Sequence, residues 1–310
     1  MNAEHLRYFL AAARHGSFAA AAKSLNMSPT PVSYAIGALE ARLSTTLFNR
    51  VRSKGLTLTP SGKRLQEHAN QVVSELDALE SRFRSHNGQF AGELVVGCQE
   101  SLVWSLMPRA LKLTAERHPK LQVSIRTVPL ATDYSTLLAG EIDLLVTFRH
   151  VVDQNPRICV TPLCAPQPTV MMRAGHPLDR GQTEISLSEI ALFPQVMNVE
   201  PAAYELSMEM FRSAGCVPTV NCQCDVTAGS QAIVGQSDVV ALRVALPASN
   251  VSPLGDKLAY YTLADRVPTA SVIAARVARS SIGIPSKRDA FISICEQLFT
   301  TGAMRTHFSY

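Results

Sequence analysis

The hydroxyl residues Ser28, Thr30, Ser33 and Tyr34 fall close together, and Arg50, Arg52 and Lys54 follow at alternate positions. Hydroxyl groups both donate to and accept from base edges, and a run of alternating cations is suited to phosphate oxygens. This is the chemistry of a surface that reads a duplex. Chemistry of a covalent kind has no counterpart: there is no G-x-S-x-G, H-E-x-x-H or G-x-x-x-x-G-K segment. The seven cysteines form no C-x-x-C pair, so neither a zinc ribbon nor a disulfide framework is expected. The expectation is a binding protein, not an enzyme, with no metal and no cofactor.

The elements that must position the hydroxyls can be read around them. An alanine-rich segment from Ala19 runs to Leu25, a polar turn follows at Asn26-Met27-Ser28, and Val32, Ile36 and Leu39 then form one apolar stripe. Two short helices joined by a tight turn make a helix-turn-helix, whose second helix enters the major groove. Ser28 is placed to cap that helix, with Pro29 at its first position and Pro31 still in the first turn, where missing N–H groups cost little. The helix is expected to run to Leu43. Before it, Leu6, Phe9, Leu10 and Ala13 line a first helix ended by His15-Gly16, and Ser17 caps the next. After it, Leu56-Thr57-Leu58-Thr59 alternates as a strand, making the Arg50–Lys54 turn a wing. Residues 1–64 carry nine Lys/Arg and two acids, so a head of charge +7 sits on a body of charge −3. Such asymmetry suits a polyanion-binding module attached to something else.

Leu65, Ala69, Val72, Leu76, Leu79 and Phe83 are spaced 4, 3, 4, 3, 4, a coiled-coil seam on a helix about 27 Å long. Pairing two heads through this seam would raise their joint affinity. The alternative is an amphipathic helix lying on the C-terminal body. Asn87-Gly88-Gln89-Phe90-Ala91-Gly92 marks the domain boundary. Three units are expected: 1–62, a linker helix and hinge at 63–90, and a body at 91–310.

In the body, strands are expected at 93–97, 121–125 and 142–146, with helices at 101–116 and 132–139 between them, which makes a parallel α/β sheet. The pattern restarts after Pro162. Strands at 169–172, 195–198, 220–225 and 239–242 alternate with helices at 188–190, 205–214 and 228–235. Strands at 258–263 and 269–277 and a terminal helix at 287–300 complete it. Two lobes follow, the first about 91–162 with 268–310, the second about 163–267.

The segment GSFAAAAKSLNMSPTPVSYAIGALEARLSTTLFNR, followed by LTLTPSG, resembles the winged helix-turn-helix of the LysR-type transcriptional regulators. GELVVG, LMPRAL, ERHPKLQVSIRT and LLAGEIDLLV continue the resemblance through the body. The head departs from the usual pattern at Pro29, Pro31, Tyr34 and Gly37. The resemblance implies two Rossmann-like lobes, as in periplasmic binding proteins, behind a winged helix-turn-helix and a long linker helix, with a small-molecule effector between the lobes. It also implies a homodimer or homotetramer, double-stranded DNA as a partner, and RNA polymerase as another.

Ligands of open α/β sheets sit beyond the carboxyl ends of the strands. The candidate effector residues are therefore Gln99, Glu100, Ser101, Thr127, Pro129, Phe148, Asn198, Glu200, Asp225 and Thr227. Ser101 at a helix start could hold a carboxylate; Glu100 beside it argues against an anion. Some members of the family sense peroxide through cysteines, so Cys216, Cys222 and Cys224 give an alternative, redox-responsive reading, with inert buried thiols the simpler one. A purely architectural, effector-independent DNA-binding protein is a further alternative, but it would not need so large a body.

Hydrophobic residues at 46% with only 17% charged describe a packed chain, and no apolar run reaches the ~18 residues of a membrane span. The first residues, MNAEHLRYFL, lack the basic-then-apolar order of a signal peptide, so the cytoplasm is expected, without a membrane partner.

Overall fold

The computed structural model describes residues 2–51, 55–84, 89–149, 155–244, 249–278 and 286–301. Arg52 and Lys54 lie outside the described residues, as do the side chains of Arg50 and Phe83.

The head opens with α1 (Ala3–His15), capped by Asn2, whose side chain accepts from the Glu4 N–H at 3.0 Å. The helix ends at Gly16, whose φ of 65° needs no side chain. Helix α2 (Phe18–Ser24) is capped by Ser17, which accepts from the Ala20 N–H at 3.0 Å. Ala21 and Ala22 are fully buried, so the alanine run lets the short helices approach closely. Helix α3 (Pro29–Leu43) begins after Ser28, as expected. The Ser28 side chain makes no capping bond, however. An N-cap oxygen reaches the second or third helical N–H, and the third position here is Pro31, which has none.

Strands β1 (Phe48–Val51) and β2 (Gly55–Leu58) pair antiparallel, from Phe48 opposite Leu58 to Val51 opposite Gly55. Helix α4 (Pro60–Arg84) starts at once, with the Thr59 hydroxyl accepting from the Gly62 N–H at 3.0 Å. Leu6, Phe9, Val32, Ile36, Leu39, Leu47, Phe48 and Ala69 form one core. Ala69 and Leu65 of the expected seam are thus engaged by their own head: Ala69 is buried and Leu65 packs on the same cluster.

The first lobe follows: β3 (Ala91–Gln99), α5 (Glu100–Ser105), α6 (Met107–Arg117), β4 (Lys120–Val128), α7 (Ser135–Leu138), β5 (Leu144–Arg149) and β6 (Ile158–Cys164). The second holds β7 (Thr169–Arg173), β8 (Glu184–Ile185), α8 (Leu187–Ile190), β9 (Pro194–Met197), α9 (Pro201–Ser213), β10 (Thr219–Gln223), α10 (Thr227–Gly235), β11 (Ala241–Arg243) and β12 (Leu258–Leu263). The chain then returns as β13 (Ser271–Val277) and α11 (Lys287–Thr300).

The first sheet has the order β4-β3-β5-β13-β6. Strands β3, β4 and β5 are parallel, but β13 enters antiparallel between β5 and β6. The sheet is therefore mixed, because the chain leaves the lobe along β6 and comes back along its neighbour. Both faces are covered: Leu94, Val96 and Cys98 pack on one side, Val95 with Leu137 and Leu145 on the other. This burial on both faces accounts for an apolar run without alternation. The second lobe has a sheet of order β11-β7-β12-β8 and a parallel pair β10-β9, joined by a bridge between Gln195 and Val240. Thr269 donates to the Pro166 carbonyl at 2.8 Å, tying the outgoing connection to the returning one.

Several expected elements differ. The helix expected over 101–116 is two, broken at Leu106; Pro108 cannot supply the next backbone bond. The helix at 132–139 shrinks to α7, since the Asp133 carboxylate accepts from the Ser135 N–H at 3.0 Å and holds a turn. Helix α9 starts at Pro201, four residues early. Strand β6 was not expected, and it carries the first lobe two residues past its expected boundary at 162.

Helix α4 and α1 also touch the first lobe. Asn70 donates to the Ala139 carbonyl at 2.9 Å, Arg14 to the Gly140 carbonyl at 3.1 Å, and Arg157 pairs with Glu67 at 2.9 Å. Gly140 has φ +69°, and a Cβ there would lie 2.1 Å from the Asn70 amide nitrogen. Val72, Leu76 and Leu79 of the seam line a cavity of about 590 Å³ against Leu137, Leu138, Ile142 and Val277.

Candidate nucleic-acid interface and inter-lobe cleft

On α3 the buried residues are Val32, Ala35, Ile36 and Leu39, so the opposite face is turned to solvent. Ser28, Pro29, Thr30 and Tyr34 are exposed, Tyr34 at 74%, and Ser33 is half-buried. The structure thus brings the expected reading residues together on one open face. Gly37 lies on that face, and a Cβ added to it would meet nothing within 4 Å. Glu40, nearer the end of the helix, turns the other way: its Oε1 accepts from the Leu47 N–H at 2.7 Å. That bond ties the start of β1 to α3.

The two lobes meet through side chains from the expected cleft set. Glu100, at the start of α5 in the first lobe, accepts from the N–H of Thr227 at 3.2 Å and from its hydroxyl. Thr227 opens α10 in the second lobe. Glu200, at the start of α9, accepts from the Leu130 N–H of the first lobe at 2.9 and 3.1 Å. Asn198 supports it, its side-chain oxygen accepting from the Glu200 N–H at 2.8 Å.

Other members of the set do different work. Ser101 is buried, and both its N–H and hydroxyl go to the Gln99 side chain at 2.9 and 2.6 Å. Gln99 therefore caps α5, and Ser101 is not presented to a ligand. Phe148 is a core side chain of the first lobe, contrary to its expected place in the cleft, because β5 is covered on both faces. Thr127 and Pro129 are exposed at the end of β4, and Asp225 is exposed before α10.

The residue missing from the expected cleft set is Arg243. Its guanidinium donates to the Thr227 hydroxyl and to the Ser230 hydroxyl, each at 3.2 Å. Burial pulls its pKa down, opposed by Tyr260, Glu100 and Cys224. It ends β11 and directly follows the strand expected at 239–242, so the strand-end rule carried to that strand would have found it. Trp104 was also missed; its ring N–H donates to Glu100 Oε1 at 2.7 Å, one helical turn away.

Cys216, Cys222 and Cys224 are free thiols, all partly buried. Burial, with Cys224 adding to it, raises the pKa of Cys222, which disfavours its reactive thiolate. Burial also pushes Cys164 and Cys295 to about 12. Among the described residues, no cluster of His, Cys, Asp and Glu is placed to hold a metal ion, and no helix is long and apolar enough to cross a membrane.

Residues 3–63 match the family described as bacterial regulatory helix-turn-helix protein, lysR family, and residues 87–297 match the LysR substrate binding domain. The chain is 29% identical over 238 residues to the SDS degradation transcriptional activation protein of a Pseudomonas sp., across 76% of this chain and 77% of that one. Its fold is similar to that of a full-length OxyR variant from Pseudomonas aeruginosa, with TM-score 0.73, 19% identity, and coverage of 99% of this chain and 95% of that one. It is also similar to full-length CbnR complexed with its target DNA, with TM-score 0.55, 20% identity, and coverage of 96% and 99%.

Proposed function

The chain belongs to the LysR family of transcriptional regulators, and from that premise we propose how its parts divide the work. It is a DNA-binding regulator with a substrate-binding domain for an effector. In this reading Ser28, Thr30, Ser33 and Tyr34 contact base edges, with Arg50, Arg52 and Lys54 on phosphates. Two chains pair as a homodimer, and two dimers as a homotetramer, through the later positions of the α4 stripe: Val72, Leu76, Leu79 and Phe83. The regulator acts in the cytoplasm, contacts RNA polymerase, needs no cofactor and catalyses no reaction.

The observation that carries the effector reading is the pair of bonds across the lobes, Glu100 to Thr227 and Glu200 to Leu130. A molecule that changed either would change how far the lobes close. A ligand that binds the native state raises its stability. The test is a thermal-shift screen of small metabolites on the full chain, followed by operator footprinting with each stabilising compound. A footprint that moves or changes strength supports the reading; identical footprints with and without every such compound overturn it. A Leu76→Asp variant that stays dimeric by sedimentation would overturn the pairing.

A further inference from the structure

We propose that the Glu100 carboxylate is a resident stand-in for the anionic group of the effector. It occupies a carboxylate receptor built by the second lobe and holds the cleft shut until an external small carboxylate replaces it. This rests on the effector reading above and gives the effector a chemical class.

The receptor comes from one lobe and its occupant from the other. Thr227 supplies its N–H and hydroxyl at the start of the nine-residue helix α10. Arg243 stands behind, donating to the Thr227 and Ser230 hydroxyls at 3.2 Å. The Ser230 hydroxyl in turn donates to the Thr227 carbonyl at 2.9 Å. Directions agree throughout: Arg243 has only protons to give, so the Thr227 hydroxyl receives from it and gives its own proton onward to Glu100. The helix N-terminus and the guanidinium both favour a negative charge at that point.

Charge decides the class of ligand. A cation pairing with Glu100 would be drawn towards Arg243, a like charge. A neutral molecule that displaced Glu100 would leave Arg243 without its counter-charge in a protein-lined cleft, which is costly. An anion that displaces Glu100 keeps Arg243 compensated. Glu100 also has somewhere to go, since Trp104 holds its other oxygen and Trp104 is 56% exposed. From the sequence, an acidic residue here argued against an anionic effector; its position in the receptor reverses that argument.

The experiment is chemical rescue of Glu100→Ala in the full chain, with sodium acetate as the probe and sodium chloride at equal ionic strength as the control. Melting temperature and tryptophan emission are read together, and Trp104 is the only tryptophan of the sequence. The variant should melt below the wild type, and acetate should restore its stability saturably where chloride does not. Wild type should need roughly tenfold more acetate or above for the same emission change, because Glu100 competes at a high effective concentration. Adding Arg243→Gln or, should that chain not fold, Thr227→Val should abolish the rescue. Equal effects of acetate and chloride on Glu100→Ala, or rescue that survives both second substitutions, would overturn the proposal. Absence of rescue leaves the footprinting result free to stand; rescue with indifferent footprints would sink the effector reading instead.

Discussion

Glu200 of the second lobe receives the main-chain N–H of Leu130 in the first lobe on both carboxylate oxygens, at 2.9 and 3.1 Å. Leu130 is 9% exposed, so its N–H has little access to water if the carboxylate is removed. Glu200→Ala should cost about 1–3 kcal/mol, the usual result of leaving a buried donor unpaired. Glu200→Gln retains an acceptor and should cost less than half as much. Thermal melts of the two variants check the order, and equal losses would contradict the role given to the carboxylate.

Glu40 joins α3 to the start of β1 through Leu47, which is 1% exposed. Glu40→Ala should lower head stability by about 1–3 kcal/mol. Because the same bond sets where β1 begins, operator affinity should fall further than affinity for nonspecific DNA. Parallel titrations on the two kinds of duplex measure the difference.

Gly37→Ala should stabilise the head by about 1 kcal/mol, since a helical glycine costs that much and a Cβ there meets no atom. Among the described residues, no packing asks for glycine at this place. The residue lies on the face of Thr30 and Tyr34, so the same change should weaken operator binding. A variant that melts higher and binds undiminished would detach Gly37 from recognition.

Arg50 and Arg52 are assigned to phosphates from the sequence. Replacing both with alanine should weaken binding to all sequences alike. It should also flatten the slope of log affinity against log salt by about two units, close to one per phosphate contact. An unchanged slope would remove them from the interface.

His176 is 2% exposed, with Nδ1 accepting from the Leu178 N–H at 3.1 Å and Nε2 placed to donate to the Asp238 carbonyl at 3.1 Å. Burial, with Arg173 adding to it, lowers its pKa against the opposing pull of the Asp238 carbonyl and the Asp238 and Asp179 charges. A histidine with a depressed folded pKa contributes stability above its unfolded value of about 6.5, and that contribution is lost as pH falls below it. Melting temperature should therefore drop between about pH 7 and pH 5, and less steeply in His176→Phe. Parallel slopes in the two proteins would show that His176 does not carry the effect.

The head was legible because its signals are local. Caps, the alanine run and the Val32, Ile36, Leu39 stripe each constrain only a few neighbouring residues, and α3 occupies the span they indicate. The body was legible as alternating strands and helices but not as a sheet order. Whether β13 lies antiparallel between β5 and β6 depends on where a distant return segment inserts, which periodicity does not encode. The cleft shows the same division. Glu100, Glu200 and Thr227 sit where the strand-end rule points; Arg243 also follows an expected strand, but its part rests on side-chain bonds to Thr227 and Ser230 that spacing does not encode. That Gln99 would consume Ser101, or that β5 would bury Phe148, depends on rotamers and sheet coverage beyond the reach of spacing.

The contact of Asn70 and Arg14 with the loop at Ala139 and Gly140 bears on how such regulators could be recombined. A chimera cut after α4 would carry Asn70 into a foreign body, and any side chain in place of Gly140 would collide with its amide. The interchangeable cassette is therefore larger than the reading head: it includes a four-residue helix and the turn that follows it, more than fifty positions downstream. Grafts that transfer Asn70 and Gly140 together should keep the head seated as it is here, and grafts that separate them should not.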